Sequence, residues 1–320
     1  MAASGVLVAG AGAVGSVFGA LLSRAGAPVT LLGREAHVRA VAERGLAVDG
    51  LFGAHRVPMA ASVSDVARLT GPYDAILLSV KSWDTRSVVP LVAPLLAPDG
   101  VMICLQNGLG NVEAAAAVVG ASRVLGARVI FGAEVPEPGR VRVTVYADPV
   151  LVGAPDPTDR VLDGAARHWA ARFDAAGIPS RHTERLTAEL WAKLFYNAAL
   201  NPLGALLGVP YGRLAETDDT RAVMDAVIDE AFGVARAAGV ALAWGTPMEY
   251  RQTFYGRLVP STADHRSSML QDLERGRPTE IDAINGYVAS RAATGGMAAP
   301  VNATLTRLIR ARARAGGARS

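Results

Sequence analysis

Short apolar runs alternate with longer amphipathic segments over the first 182 residues of this 320-residue chain. The apolar runs have the length and composition of buried strands, and the segments between them have helical periodicity. We predict strands at 5–9, 29–32, 73–80, 101–105, 123–131, 140–146 and 150–152, and helices at 16–24, 84–96 and 158–176. This alternation is typical of a mostly parallel, doubly wound sheet that allows an antiparallel edge.

Strand signals stop after residue 183, and only helical patterns follow. They lie at 187–207, 217–238, 245–258, 264–275, 280–294 and 302–314. We therefore predict an α/β fold with two domains. Residues 1–183 form the doubly wound sheet domain, and residues 184–320 form an all-helical domain.

A glycine-rich turn joins the first predicted strand to the first predicted helix. It reads Gly10-Ala11-Gly12-Ala13-Val14-Gly15, which is G-x-G-x-x-G in the context that this motif requires. The first glycine permits the turn, the second lets the backbone approach a pyrophosphate, and the third lets the helix pack on the strand. The helix N-terminus attracts the phosphates. The turn predicts a Rossmann-type domain that binds a dinucleotide.

The residues after the second predicted strand bear on the choice of dinucleotide. They read Gly33-Arg34-Glu35. An acidic residue here would bind the ribose 2′-hydroxyl of NAD, whereas an arginine accommodates the 2′-phosphate of NADP. Arg34 therefore favours NADPH. In the alternative interpretation Arg34 is solvated and Glu35 binds the ribose.

Lysine is rare in this chain, because Lys81 and Lys193 are the only lysines among 32 basic residues. A lysine can exchange a proton and an arginine cannot, so both positions are candidates for chemistry; chance survival is the alternative. Lys81 follows the strand at 73–80, at the edge where open α/β sheets bind ligands. Asn107 follows the next strand and would reach the same edge, unless it only forms an Asn-Gly turn.

The predicted helix at 187–207 carries a polar stripe on an apolar body. Lys193, Asn197 and Asn201 follow one another at four-residue spacing, so they share a sector of roughly 80°. Pro202 predicts an end or a kink. In the predicted helix at 280–294, Glu280 is a further candidate, although an acid in a first turn can simply stabilise the helix dipole.

Composition excludes several other classes of protein. The net charge is only +3, and Cys104 is the single cysteine, so no internal disulfide or multi-cysteine metal site is expected. The five histidines lack metal-ligand spacing. The terminal arginines fit a solvated helix face and tail better than a nucleic-acid surface; they are Arg307, Arg310, Arg312, Arg314 and Arg319. The uncharged stretch at 6–23 fits the glycine turn better than a signal peptide or membrane span, so we expect a cytoplasmic protein.

Taken together, the motifs resemble the ketopantoate reductase (2-dehydropantoate 2-reductase) family over nearly the whole chain. The matching segments are residues 10–15, 80–83, 106–110, 188–194, 197–202, 267–272 and 277–286. The resemblance implies NADPH-dependent reduction of 2-dehydropantoate to (R)-pantoate, on the route to pantothenate and coenzyme A. The expected partner is thus a small 2-oxo acid, and the expected assembly is a monomer or homodimer.

The family pattern also implies roles for individual residues. Lys193 would be the general acid, and Glu280 would be a polar partner of substrate, cofactor or lysine. The substrate-binding residues would be Lys81, Asn107, Asn197, Asn201 and Ser268. The cofactor-binding residues would be Gly10, Ala11, Gly12, Ala13, Val14, Gly15, Arg34, Lys81, Asn107 and Glu280.

This chain departs from the family pattern at two positions. Pro278 stands where many members have histidine, and Tyr211 stands where many have an asparagine on the substrate side. Tyr211 leaves open a reductase of another 2-oxo or 3-oxo acid in secondary metabolism. A non-catalytic NADPH-binding regulator is a further alternative, but it would be expected to have lost Lys193 or Glu280.

Overall fold

The computed structural model describes residues 5–317 of the chain. Internal contacts divide it into two units. The Rossmann unit comprises the chain up to Gln106 together with Asn111–Leu186. The helical unit comprises Asn107–Gly110 and the chain from Thr187 onward. The division therefore differs from the predicted one at 183/184, because residues 107–110 contact the helical unit although they lie within the Rossmann sequence.

The Rossmann unit has twelve strands among the described residues. They are β1 (Gly5–Ala9), β2 (Val29–Leu32), β3 (Leu46–Gly50), β4 (His55–Val57), β5 (Ala61–Val63), β6 (Tyr73–Leu78), β7 (Leu96–Cys104), β8 (Val124–Arg128), β9 (Phe131–Glu137), β10 (Arg140–Tyr146), β11 (Val150–Gly153) and β12 (Ser180–His182). Eight of them form one sheet in the order β12-β11-β8-β7-β6-β1-β2-β5. Every pairing in it is parallel except β8 with β11. The predicted doubly wound sheet, including its antiparallel pairing near one edge, is thus present.

The remaining four strands form a second sheet that the sequence pattern did not predict. Its order is β4-β3-β10-β9. The segment at 123–131 was predicted as one strand, and this was wrong. Its first part, β8, pairs in the large sheet, whereas the chain from Phe131 pairs with β10 in the small one. The composition of this segment does not show where the chain changes sheets, because β-branched and aromatic residues that favour strands lie on both sides of the change.

Helices cover both faces of the large sheet. They are α1 (Ala13–Arg24), α2 (Glu35–Arg44), α3 (Thr85–Val92), α4 (Asn111–Val119) and α5 (Arg160–Ala175), with single 3₁₀ turns at Val66–Arg68, Ser82–Asp84, Ala93–Leu95 and Ala121–Arg123. Successive strand residues enter different cores, as their alternating orientation requires. Val6 and Val8 belong to one apolar cluster, and Leu7 and Ala9 belong to the other.

The helical unit has its own apolar core. Its elements are α6 (Leu186–Leu207), α7 (Tyr211–Leu214), α8 (Asp218–Ala237), α9 (Pro247–Thr253) with a π-helical continuation (Phe254–Leu258), α10 (Ser268–Glu274), α11 (Asn285–Thr294) and α12 (Pro300–Gly317), with 3₁₀ turns at Pro260–Thr262 and Glu280–Ala283. Trp191, Phe195 and Ala198 of α6 are buried in this core. They occupy the opposite side of α6 from a more polar face that carries Lys193.

Pro202 does not end α6, which continues to Leu207. A proline inside a helix leaves the carbonyl four residues earlier without its N–H donor. Here the side-chain amide of Asn285 donates to the Ala198 oxygen at 3.0 Å. Asn285 is fully buried and also donates to Asn302, whose amide in turn contacts Glu230. A buried polar network therefore replaces the lost bond and lets the helix continue.

Arg312 supports the other end of α6. Its guanidinium donates to the carbonyl oxygens of Ala205 and Leu206, both at 2.6 Å. Because the last carbonyls of a helix lack intrahelical partners, this contact satisfies them from outside. The terminal arginines are thus not only a solvated face: Arg310 pairs with Asp282 and Arg312 caps α6. Arg319 lies outside the described residues.

Candidate active site

The glycine turn of the Rossmann unit is shaped by missing side chains. Gly10 has φ +111°, and a Cβ there would lie 2.4 Å from the backbone nitrogen of Val80. A Cβ on Gly15 would lie 2.3 Å from the Gly10 oxygen. Ser79, which the sequence analysis did not single out, donates its hydroxyl to the Gly10 oxygen at 2.8 Å. The first and last glycines are therefore required by the packing of β1, α1 and the end of β6.

Gly12 differs from Gly10 and Gly15, the other two glycines of the motif. A Cβ on Gly12 would meet no atom of the described residues within 4 Å. Gly12 is also the N-cap of α1, and no side chain of the described chain caps that helix end. Open space above free backbone N–H groups suits a phosphate, because those groups and the helix dipole favour negative charge. The residues present thus fit a dinucleotide pyrophosphate.

Two charged candidates flank this turn within the Rossmann unit. Arg34 is exposed at the N-terminus of α2, directly after Gly33, whose Cβ would lie 2.6 Å from that of Ala11. Glu35, the alternative ribose ligand, accepts a hydrogen bond from Ser64. Lys81 follows Ser79 and Val80, whose N–H groups donate to Ala9, and its ammonium lies 5.7 Å from the Trp83 ring centroid. Arg34 and Lys81 are therefore both adjacent in sequence to residues that pack against the glycine turn.

The helical unit brings three predicted residues together in one hydrogen-bonded chain. The Lys193 ammonium donates to the Asn107 side-chain oxygen at 2.6 Å. The Asn107 amide nitrogen donates to the Glu280 carboxylate at 3.4 Å. Glu280 is buried at the start of its 3₁₀ turn. Asn107 therefore connects a half-buried cation with a buried anion, an arrangement that fixes the orientation of the lysine side chain.

The loop at 107–110 carries Asn107 to this place. Leu109 donates its backbone N–H to the Ala283 oxygen at 2.9 Å. Gly108 has φ +80°, and a Cβ there would lie 2.4 Å from the same oxygen. Only glycine tolerates both this conformation and this approach. The Asn-Gly pair is thus a turn, as one interpretation held, and it also places Asn107 beside Lys193.

Asn197 and Asn201 share the Lys193 side of α6, and both are buried. The Asn197 side chain makes no hydrogen bond to another residue between 5 and 317. The Asn201 side-chain oxygen accepts a hydrogen bond from the Tyr211 hydroxyl, and Tyr211 is buried too. Tyr211, one of the two positions at which this chain departs from the expected family pattern, thus contacts a predicted substrate-binding residue directly.

Ser268 stands apart from this arrangement, because it is exposed as the first residue of α10. Its neighbour Ser267 is fully buried, caps α10 through Leu270 at 3.0 Å, and donates to the Asn201 backbone oxygen at 3.2 Å. The Tyr250 hydroxyl also donates to a backbone oxygen of α6, that of Ala192, at 3.2 Å. The roles of Ser267, Tyr250 and Asn285 as supports of α6 were not predicted from the sequence. A proline inside a helical pattern was the one signal for Asn285, because it requires a new donor for the carbonyl at position 198.

Other kinds of site find no support in the part of the chain that the structure describes. No three histidine, cysteine or acidic side chains between residues 5 and 317 are grouped to hold a metal ion. Cys104 is buried, and burial raises the pKa of its thiol, which makes it unreactive. Within the same residues no helix combines the length and the apolar character needed to cross a membrane.

A Rossmann unit with an open glycine turn, together with a lysine-centred polar chain on a helical unit, defines the class of nicotinamide-dinucleotide-dependent oxidoreductases. The chain belongs to the ketopantoate reductase family. The family's sequence model, described as "Ketopantoate reductase PanE/ApbA", matches residues 6–157. Its counterpart, "Ketopantoate reductase PanE/ApbA C terminal", matches residues 185–313. The predicted family is therefore confirmed.

Individual proteins are similar over almost the full length. The 2-dehydropantoate 2-reductase of Aquifex aeolicus (strain VF5) is 37% identical over 306 residues, which are 96% of either chain. The crystal structure of a PanE/ApbA family ketopantoate reductase from Ralstonia eutropha JMP134 has a TM-score of 0.86 at 33% identity, covering 97% of this chain and 99% of that one. A D-mandelate dehydrogenase complex with NADH has a TM-score of 0.84 at 25% identity, with the same coverage.

Proposed function

We propose that this protein reduces 2-dehydropantoate to (R)-pantoate with NADPH, a step toward pantothenate and coenzyme A. The observation that carries the proposal is the chain from Lys193 through Asn107 to Glu280. Hydride addition to a 2-oxo acid develops negative charge on the carbonyl oxygen, so the site must supply a proton and oriented hydrogen bonds. The names of the full-length relatives support the substrate.

In this proposal Lys193 is the general acid. Lysine is ordinarily protonated at neutral pH, so its ammonium has a proton to donate to the developing alkoxide. Asn107 holds the ammonium through its side-chain oxygen, and Glu280 holds the amide of Asn107. After donation the neutral amine regains a proton from water. The bound reduced nicotinamide would supply the hydride.

The remaining predicted residues would bind and orient. Asn197 and Asn201 would hydrogen-bond the substrate from the Lys193 side of α6 without adding repulsive charge near its carboxylate. Ser268, at the exposed start of α10, keeps only its family-based assignment. In the Rossmann unit, residues 10–15 would bind the pyrophosphate, Arg34 the 2′-phosphate, and Lys81 the cofactor or the substrate.

A second candidate is the reduction of another 2-oxo acid on the same scaffold. The observation that favours it is Tyr211, which is buried and whose hydroxyl donates to Asn201. A structural neighbour of similar fold is named D-mandelate dehydrogenase, so related chains are not confined to one 2-oxo acid.

Steady-state oxidation of the nicotinamide cofactor tests both candidates. We would compare 2-dehydropantoate with 2-oxo-3,3-dimethylbutanoate and phenylglyoxylate, each with NADPH and with NADH. We expect the highest kcat/KM for 2-dehydropantoate with NADPH. A higher value for phenylglyoxylate would support the second candidate, and turnover of none of the three would contradict the assignment as a 2-oxo acid reductase.

A further inference from the structure

The two amides beside Lys193 differ in how firmly they are oriented. A side-chain amide has an acceptor oxygen and a donor nitrogen that exchange places when the group rotates by half a turn. The Asn197 amide has no hydrogen-bond partner between residues 5 and 317, so nothing in that part of the chain selects one orientation. The Asn201 oxygen, in contrast, accepts the Tyr211 hydroxyl.

Tyr211 is held so that its hydroxyl has little choice of partner. Its backbone N–H donates to the His265 oxygen at 3.1 Å. Its ring packs edge-on against the rings of Tyr196, at 5.8 Å between centroids, and His265, at 5.2 Å. Among residues 5–317 the Tyr211 hydroxyl has Asn201 as its single hydrogen-bond partner. Burial raises the pKa of this phenol well above its ordinary value, so it remains a donor.

Rotation of the Asn201 amide would therefore have a cost. The Tyr211 proton would face an N–H₂ group and lose its acceptor in a buried place, which native structures avoid. In the observed orientation the Asn201 nitrogen donates to no residue in the described part of the chain. Asn201 lies two helical turns from Lys193, about 12 Å along the axis, so a group bound by Asn201 would be remote from the carbonyl that Lys193 protonates.

We propose that Tyr211 is a positioning residue that fixes Asn201 as a hydrogen-bond donor toward the substrate. The group bound there is then an acceptor oxygen remote from the 2-oxo group, such as the 4-hydroxyl of 2-dehydropantoate. This inference rests on the proposed function, since it assigns one contact within that site. It makes Tyr211 a specificity-determining residue through Asn201, without contact of its own with the substrate.

The test compares Tyr211→Phe with wild type on two substrates, 2-dehydropantoate and 2-oxo-3,3-dimethylbutanoate, which lacks the 4-hydroxyl. We expect KM for 2-dehydropantoate to rise about 3- to 10-fold, the effect of one hydrogen bond, with kcat changed less than about twofold. KM for the analogue should not change. Tyr196→Phe is the matched control, because that neighbouring hydroxyl bonds Thr262 rather than Asn201 and should leave both KM values unchanged.

Asn201→Ala is a second test variant, and its KM values do not depend on whether Tyr211→Phe folds correctly. It should raise KM for 2-dehydropantoate selectively, and Tyr211→Phe should add nothing in its background. An equal rise for both substrates, additive effects, or an unchanged KM in Tyr211→Phe would overturn the inference. If wild type does not reduce 2-dehydropantoate, the proposed function fails as well; if it does and the variants match it, only this inference fails.

Discussion

The glycine turn at 10–15 and the Lys193 side of α6 are both polar sites, but they are built by opposite means. The turn is made by backbone and by absent side chains: Gly10 and Gly15 permit close packing, and Gly12 leaves open space. The α6 site is made by side chains, and two of them, Lys193 and Asn201, are held by side chains from outside α6. The glycine turn should therefore be most sensitive to added side-chain atoms. The α6 site should be most sensitive to substitutions that remove a hydrogen-bond partner.

The largest expected effect lies on the side-chain site. Lys193→Ala should lower kcat by roughly 10²- to 10⁴-fold, because a positioned general acid contributes about that much. Dinucleotide binding, followed by cofactor fluorescence, should persist. Lys193→Arg separates proton donation from charge, since arginine keeps the charge but does not give up its proton. Near-normal kcat in either variant would remove Lys193 from the proposed role.

A smaller effect is expected at the edge of the backbone site. Arg34→Ser should raise KM for NADPH about 10- to 100-fold, the effect of losing a charge-assisted bond to phosphate, and leave KM for NADH unchanged. Arg39→Ser, another exposed arginine of α2, is the control and should change neither value. An unchanged KM for NADPH in Arg34→Ser would instead favour the alternative, in which Arg34 is solvated and Glu35 binds the ribose.

The support of α6 can be broken and then repaired. Asn285→Ala should lower the free energy of unfolding by about 1–3 kcal/mol, because it leaves the Ala198 carbonyl without a donor. Pro202→Ala restores the backbone N–H for that carbonyl, so Asn285→Ala should cost less in its background. Urea denaturation of wild type, both single variants and the double variant measures this coupling. Equal costs in the two backgrounds would show that the amide does not replace the lost helix bond.

The backbone site offers the most subtle contrast, between two glycines of one motif. Gly15→Ala should cost about 1–3 kcal/mol of folding stability, because its Cβ overlaps the Gly10 oxygen. Gly12→Ala should change stability by less than about 0.5 kcal/mol, since its Cβ meets open space. It should nevertheless weaken dinucleotide binding at least about tenfold by blocking the phosphate. Unchanged cofactor affinity in Gly12→Ala would mean that the open space is not the phosphate site.

Features that depend on neighbouring residues in the sequence could be predicted from it. The glycine motif, its strand and its helix are contiguous, so local geometry alone predicts them. The spacing of Lys193, Asn197 and Asn201 is also local, because a helix converts four-residue spacing into one face. The large, mostly parallel sheet and the helical second unit follow from periodicity. The second sheet does not, since β3 and β10 pair across about ninety residues.

The partners of the site residues could not be predicted in the same way. Nothing near Asn201 in the sequence indicates that Tyr211 holds its oxygen or that Ser267 holds its backbone. Nothing near Ala198 indicates Asn285. Such contacts depend on tertiary packing, which a single sequence does not encode in any fixed spacing. The roles assigned to Lys193, Glu280 and the substrate-binding residues stay predictions until the variants are measured.

The loop at 107–110 has a consequence for how such a chain could be recombined. A genetic exchange that replaced everything after residue 186 would bring in the α6 of another protein. It would keep the loop at 107–110 of the original chain. The incoming Lys193 and Glu280 equivalents would then depend on an asparagine and a glycine inherited from another lineage. Chimeras of related reductases should therefore keep activity more often when this four-residue loop travels with the helical half. For fragment design, the helical unit is therefore discontinuous in the gene, because it includes residues 107–110 as well as the chain from Thr187.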